Sequence, residues 1–243
     1  MVYVGTSGWA YAAWKPQFYP EKLAQKKFLE HYSSRLNAVE VNYTFRQIAS
    51  EKTLLNWITE TPAGFRFSVK AHQTITHIRR LKNTHDALRR FLDSIQPLAS
   101  AGKLGPVLFQ LPPNLKSDPV LLDEFLDQLP RALRATFEYR HESWFADPIF
   151  EVLRKHNAAL CLAESDELAA PDVQTADFSY YRLRKSEYSA DERRAIAERV
   201  RDETDGRDVF AFLKHEERPE SPLYAEEILK VASHQSSYRA NVR

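Results

Sequence analysis

Eight short β-rich runs, each followed by a stretch of different character, recur from one end of the chain to the other, and this alternation most restricts the fold. The runs occupy residues 2–5, 38–42, 65–70, 107–111, 135–140, 158–163, 178–184 and 209–214. Strand-like runs alternating with amphipathic segments are the pattern of parallel strands joined by crossover helices. Eight is the number that closes a barrel, whereas a doubly wound sheet usually needs fewer strands. The chain has 243 residues, close to the roughly 250 of a complete α/β barrel. The expected architecture is a single (β/α)8 TIM-like barrel over residues 1–243, with room for irregularity and a fraying polar tail at 234–243.

The segments between the runs carry helix signals with a mechanism. Ser189 precedes Glu192 by three positions, so hydroxyl and carboxylate can cap each other's orphan amides. Ser117-Asp118-Pro119 and Ser221-Pro222 place a capping hydroxyl before a proline expected in the first turn. Leu88, Phe91, Leu92 and Ile95 recur at helical spacing, as do Leu121, Leu122, Phe125, Leu126 and Leu129, and these stripes should pack on the strands. Thr61-Pro62-Ala63-Gly64 and Asp205-Gly206-Arg207 read as short structural turns. The segments after the strands are instead rich in Trp, Tyr, His, Arg and Glu, which places function on that face.

Composition excludes more than it selects. Charged residues are 28% of the chain and the net charge is +1, so no global field gathers polyanions and any nucleic-acid contact must be local. The single thiol, Cys161, lies in an apolar run and fits a reducing compartment. Met1 to Val4 reach Gly5 without a signal-peptide core, and no apolar run approaches the ~20 residues of a membrane span. A cytoplasmic location with no membrane partner is the expectation.

Read in order, several segments resemble the domain-of-unknown-function 72 (YecE-like) family. They are Gly5-Thr6-Ser7-Gly8-Trp9-Ala10-Tyr11, Leu36-Asn37-Ala38-Val39-Glu40-Val41-Asn42-Tyr43-Thr44-Phe45, Thr61-Pro62, Phe65-Arg66-Phe67-Ser68-Val69-Lys70, Ile75-Thr76-His77, Leu104-Gly105-Pro106, Gln110-Leu111-Pro112-Pro113 and Phe137-Glu138-Tyr139-Arg140-His141-Glu142-Ser143-Trp144-Phe145. The resemblance spans most of the chain and implies a TIM-barrel-like fold with a site, without naming a reaction. Two departures stand out. The family often continues the second block with Phe-Tyr, where this chain has Phe45-Arg46-Gln47. It also often has Arg-x-His-Gly on the seventh strand, where Tyr181-Arg182-Leu183-Arg184 stands here, so a ligand-contacting histidine is not carried over.

In a barrel the carboxyl ends of all strands converge on one mouth, so polar residues far apart in sequence become neighbours. Glu40 and Asn42 share a strand face, as do Glu138 and Arg140. Glu40 and Glu138 are the acid/base candidates, or could hold a metal, against the alternative of a buried salt bridge such as Glu138 with a neighbouring arginine. Lys70 and Lys214 end strands, suited to a phosphate clamp or, less simply, to a Schiff base. Arg140, His141, Arg182 and Arg184 add positive charge for phosphate or carboxylate groups, and Thr6, Ser7, His77 and Gln110 complete the polar set. Trp9, Tyr11, Trp14 and Trp144 can stack on a sugar or a base, or else form a cover that buries the rim.

Glu40, Glu138, Glu164 and His215 are the conceivable metal ligands, but no two of these four stand at a short His-x-His or Glu-x-x-His spacing, and neither metal nor cofactor is assigned. The expected ligand is a small anionic or sugar-like molecule, with hydrolysis the leading reaction class. The alternatives are nucleic-acid binding along Lys70, His77, Arg79, Arg80 and Lys82, and a non-catalytic metabolite sensor. Oligomeric state is not written in the sequence.

Overall fold

The structure, a computed structural model, describes residues 1–164, 168–214 and 218–233. Eight parallel strands, β1 (Val2–Thr6), β2 (Ala38–Val41), β3 (Arg66–Lys70), β4 (Leu104–Gln110), β5 (Ala135–Glu138), β6 (Ala159–Glu164), β7 (Phe178–Leu183) and β8 (Asp208–Leu213), pair in the order β1-β8-β7-β6-β5-β4-β3-β2. Around them lie α1 (Phe28–Arg35), α2 (Glu51–Thr59), α3 (His85–Ser100), α4 (Pro119–Leu126), α5 (Asp147–Lys155), α6 (Ala190–Glu203) and α7 (Glu220–Ser233). This is the (β/α)8 barrel that the eight runs announced, each observed strand lying within three residues of its expected ends. One crossover departs from the plan: among the described residues no helix joins β6 to β7. There Thr175 holds the chain instead, its hydroxyl donating to Ala158 O and accepting from Leu160 N.

The ring closes between β1 and β2 through side chains. Main-chain pairing there is a single bridge, Ser7 with Glu40. Asn37 substitutes for the ladder: its Nδ2 donates to Val2 O at 2.8 Å and its Oδ1 accepts from Val4 N at 2.9 Å. The Tyr32 hydroxyl, from α1, accepts from Thr6 N at 2.8 Å and donates to Ala38 O at 2.9 Å. The approach is so close that a Cβ on Gly5 would stand 1.9 Å from Ala38 O, which is why this position needs glycine.

The outer core is apolar and aromatic. Leu88, Phe91 and Ile95 of α3 and Leu122, Phe125 and Leu126 of α4 are buried against the sheet, and Phe125 meets Phe109 edge-on. Each such side chain contributes about 1.5–3 kcal/mol when fully buried. Ser189 and Glu192 form the expected capping box on α6. Two caps differ from expectation. Asp118, not Ser117, caps α4, because its carboxylate reaches Leu121 N. Ser221 lies inside the first turn of α7, which begins one residue earlier. Among the described residues, no helix is long and apolar enough to cross a membrane.

Candidate functional site

Alternation along each strand sends every second side chain into the barrel, and those inward residues change character with height. Toward the amino ends of the strands the interior is aromatic, with Tyr3 stacked on Phe210 at 4.6 Å. Above this come Leu108, Cys161, Tyr180 and Phe212, all buried. Burial raises the Cys161 thiol well above its ordinary pKa, so it stays protonated and packs as a small apolar group. The next layer is polar: Glu40, Lys70, Gln110, Glu138 and Arg182 are all buried at the carboxyl ends of their strands.

Arg182 joins the two carboxylates. Its Nη2 donates to Glu40 Oε1 at 2.7 Å and its Nη1 donates to Glu138 Oε2. Glu40 also accepts from Ser7 Oγ and from the Tyr180 hydroxyl, each at 2.7 Å. Glu138 accepts from Gln110 Nε2 at 2.8 Å, Arg184 Nη1 at 2.7 Å and Arg140 Nε at 3.3 Å. Burial opposes ionisation of Glu138, yet Arg182, Arg184, Arg140 and the Gln110 amide outweigh it and lower the carboxyl to about 2. Glu40 is lowered in the same contest, burial losing to Arg182, Ser7 and Tyr180. Both glutamates are ionised at neutral pH with their oxygens engaged, a state suited to holding arginines in place.

Lys70 is treated differently. Its Nζ donates to Gln110 Oε1 at 2.8 Å and lies 4.1 Å from the centre of the Phe45 ring. Burial, and then the charge of Arg182, lower its pKa to about 8 against the pull of Glu138 and Glu40. Nearby His77, edge-on to Phe45 at 4.8 Å, is also lowered, by burial and then by Lys70 and Arg140.

Above this layer opens a cleft of about 540 Å³, lined by Asn42, Tyr43, Phe45, Arg46, Gln47, Lys70, Gln110, Arg140, Arg182, Arg184 and Lys214. Six of these are cationic and none is acidic. A cleft at the carboxyl ends of barrel strands is where ligands of this fold bind.

The family model described as "Protein of unknown function DUF72" matches residues 3–241. The chain belongs to the DUF72 family. A solved DUF72 protein from Thermotoga maritima is 26% identical with a TM-score of 0.83, the alignment covering 95% of this chain and 98% of that one. A second, from Enterococcus faecalis, is 16% identical with a TM-score of 0.82, covering 97% and 96%, and shares the fold. The UPF0759 protein YunF of Bacillus subtilis is 32% identical over 157 residues, 62% of this chain, and the chain spans 55% of that relative's length.

In this DUF72 barrel the structure gathers Ser7, Glu40, Asn42, Lys70, Gln110, Glu138, Arg140, Arg182, Arg184 and Lys214 into one polar layer and its cleft, with His77 beside them. Others expected there do not line the cleft. Trp144 is wholly buried, stacked on Tyr139 at 4.6 Å with its indole N–H on Leu115 O, so no ligand can reach it. Trp14 is likewise enclosed, among Tyr11, Phe18, Tyr19 and Tyr32. The Thr6 hydroxyl is spent on Gly8 O and on Tyr32. Trp9 packs edge-on to Trp57, the Tyr11 hydroxyl donates to Ser7 O, and His141 accepts from Ser143 N.

Glu164 accepts from the Tyr188 hydroxyl, and His215 lies outside the described residues. Among those described, no three His, Cys, Asp or Glu side chains converge as a metal-binding group would. Tyr180, Phe45 and Arg46 are contributors that sequence reasoning passed over. Tyr180 was findable, because it precedes Arg182 by the two-residue period of one strand face.

Proposed function

We propose that the barrel mouth binds a small, multiply charged anion, most simply a phosphorylated sugar or similar metabolite, and transforms it there. The observation that carries this reading is the cleft wall itself, with six cations and no carboxylate among its described residues. Glu40 and Glu138 lie behind the wall and fix Arg182, Arg184 and Arg140 in place. An arginine fixed in this way offers paired donors without losing side-chain freedom on binding, which suits phosphate. A cleft of about 540 Å³ has the size of a small-molecule site.

Hydrolysis with one glutamate as acid and the other as base finds no support in this geometry. A general acid must hold a proton at neutral pH, and a general base must have an oxygen free to take one. Glu138, lowered to about 2 and carrying three arginines and an amide, has neither property. Proton-transfer chemistry falls instead to Lys70, poised near 8, with His77 close by.

Calorimetric titration with inorganic pyrophosphate and with ribose 5-phosphate at low ionic strength tests the reading. Saturable binding is expected, weakened about tenfold, roughly 1.4 kcal/mol, by Arg184→Gln. Absence of binding to either compound, or equal binding by the variant, would remove the proposal.

A further inference from the structure

We propose that the Lys70 amine forms an imine with the carbonyl carbon of a phosphorylated aldehyde or ketone held in this cleft. The inference deepens the anion-site reading and rests on it, since the arginines are what would hold the phosphate while the carbonyl meets Nζ.

The geometry separates Lys70 from an ordinary buried lysine. Lys103 shows the ordinary case: its Nζ donates to Ile58 O, Thr61 O and Thr61 Oγ1 at 2.6–2.8 Å, so all three protons are committed to structure at the close of α2. Lys70 lines an open cleft and, among the described residues, has one hydrogen bond, to a neutral amide oxygen, with the Phe45 ring beside it. Among the described residues it forms no ion pair.

Gln110 is what keeps a carboxylate away. Its Nε2 donates to Glu138 Oε2, so its Oε1 must face Lys70, and the amide stands between amine and anion. The charged groups that reach Lys70 are Arg182, Arg140, Glu138 and Glu40, with His77 alongside and Arg46, Arg184 and Lys214 in the cleft wall. Burial and the arginines together favour the neutral amine, whose lone pair is the nucleophile.

In the step itself that lone pair forms the C–N bond and the carbonyl π electrons move to oxygen. The two N–H protons leave with that oxygen as one water, giving the imine. No oxidant, reductant or co-reactant is required.

Reductive trapping tests this on the full chain: glycolaldehyde phosphate plus borohydride, read by intact mass and peptide mapping. One adduct per chain at Lys70 is expected, forming at least tenfold faster than with uncharged glycolaldehyde and faster as pH rises through about 8. Lys70→Met and Lys70→Arg should both abolish it. Gln110→Glu should move the pH midpoint upward, because a carboxylate then faces the amine; an unmoved midpoint would overturn the role given to Gln110. Label spread over surface lysines without excess at Lys70, in protein that still binds pyrophosphate, would overturn the imine alone. Loss of both trapping and pyrophosphate binding would overturn the anion site with it.

Discussion

Arg182 is the residue on which the polar layer turns, because one buried guanidinium compensates two buried carboxylates. Removing one partner of such a group leaves charge stranded in a medium that solvates it poorly, at about 3–5 kcal/mol. Arg182→Met should therefore lower stability by about that amount in urea unfolding, and adding Glu40→Gln and Glu138→Gln should recover much of the loss; a single variant as stable as the parent would show that the layer is more hydrated than its burial implies. The same layer sets an acid limit. Glu138 titrates near 2 when folded, below its ordinary 4.5, so the folded state holds fewer protons there than the unfolded chain. Its contribution to stability is complete above about 4.5 and is lost as pH falls from there toward 2. Glu138→Gln should flatten that limb of an acid-unfolding curve. The sequence showed Glu40, Lys70, Glu138 and Arg182 as candidates because strand ends converge in a barrel. It did not show that one arginine would serve both carboxylates, because that depends on distances across the barrel and not along the chain.

At the scale of elements, the seam between β1 and β2 is the distinctive joint. Asn37 supplies both a donor and an acceptor where neighbouring strands would use their own backbones. Asn37→Ala should cost roughly 2 kcal/mol, since it leaves Val2 O and Val4 N without partners. Hydrogen exchange at the Val4 amide should rise well above that of its neighbours in β1; unchanged exchange would place the closing force elsewhere. Strand order and number were legible because eight hydrophobic runs have few alternatives, but this joint was not, since a seam made by side chains leaves no periodic trace. The loop after β3 was opaque for a related reason. Residues 75–82 read as a basic run that either follows a nucleic-acid backbone or is simply solvated, and neither reading announces that Thr74–Ile78 forms a π-helical turn or that Arg80, Leu81 and Asn83 take positive φ of 50–67°. A bulky residue such as Leu81 adopts that region only when surrounding packing compels it, and here Ile75 and Leu81 are both buried.

For the whole molecule, the question is how a chain of net charge +1 discriminates among phosphate-bearing partners. Two groups of cations could meet a phosphate: the cleft, whose cations include buried Lys70 and Arg182, and the loop after β3, where Arg79 and Lys82 are exposed. Salt treats these differently. Exposed charges are screened within about 8–10 Å at physiological ionic strength, whereas partly buried pairs are screened much less. A single-stranded oligonucleotide that follows Arg79, Arg80 and Lys82 would neutralise about three phosphates and lose affinity with a log–log salt slope of about −2. Pyrophosphate seated among Arg140, Arg182 and Arg184 should keep most of its affinity between 50 and about 150 mM salt. Anisotropy with a labelled oligonucleotide beside calorimetry with pyrophosphate makes the comparison in one buffer series. Oligonucleotide binding with a slope much steeper than about −2 would mean that the cleft cations also track a nucleic-acid backbone, and the small-metabolite reading would give way to it.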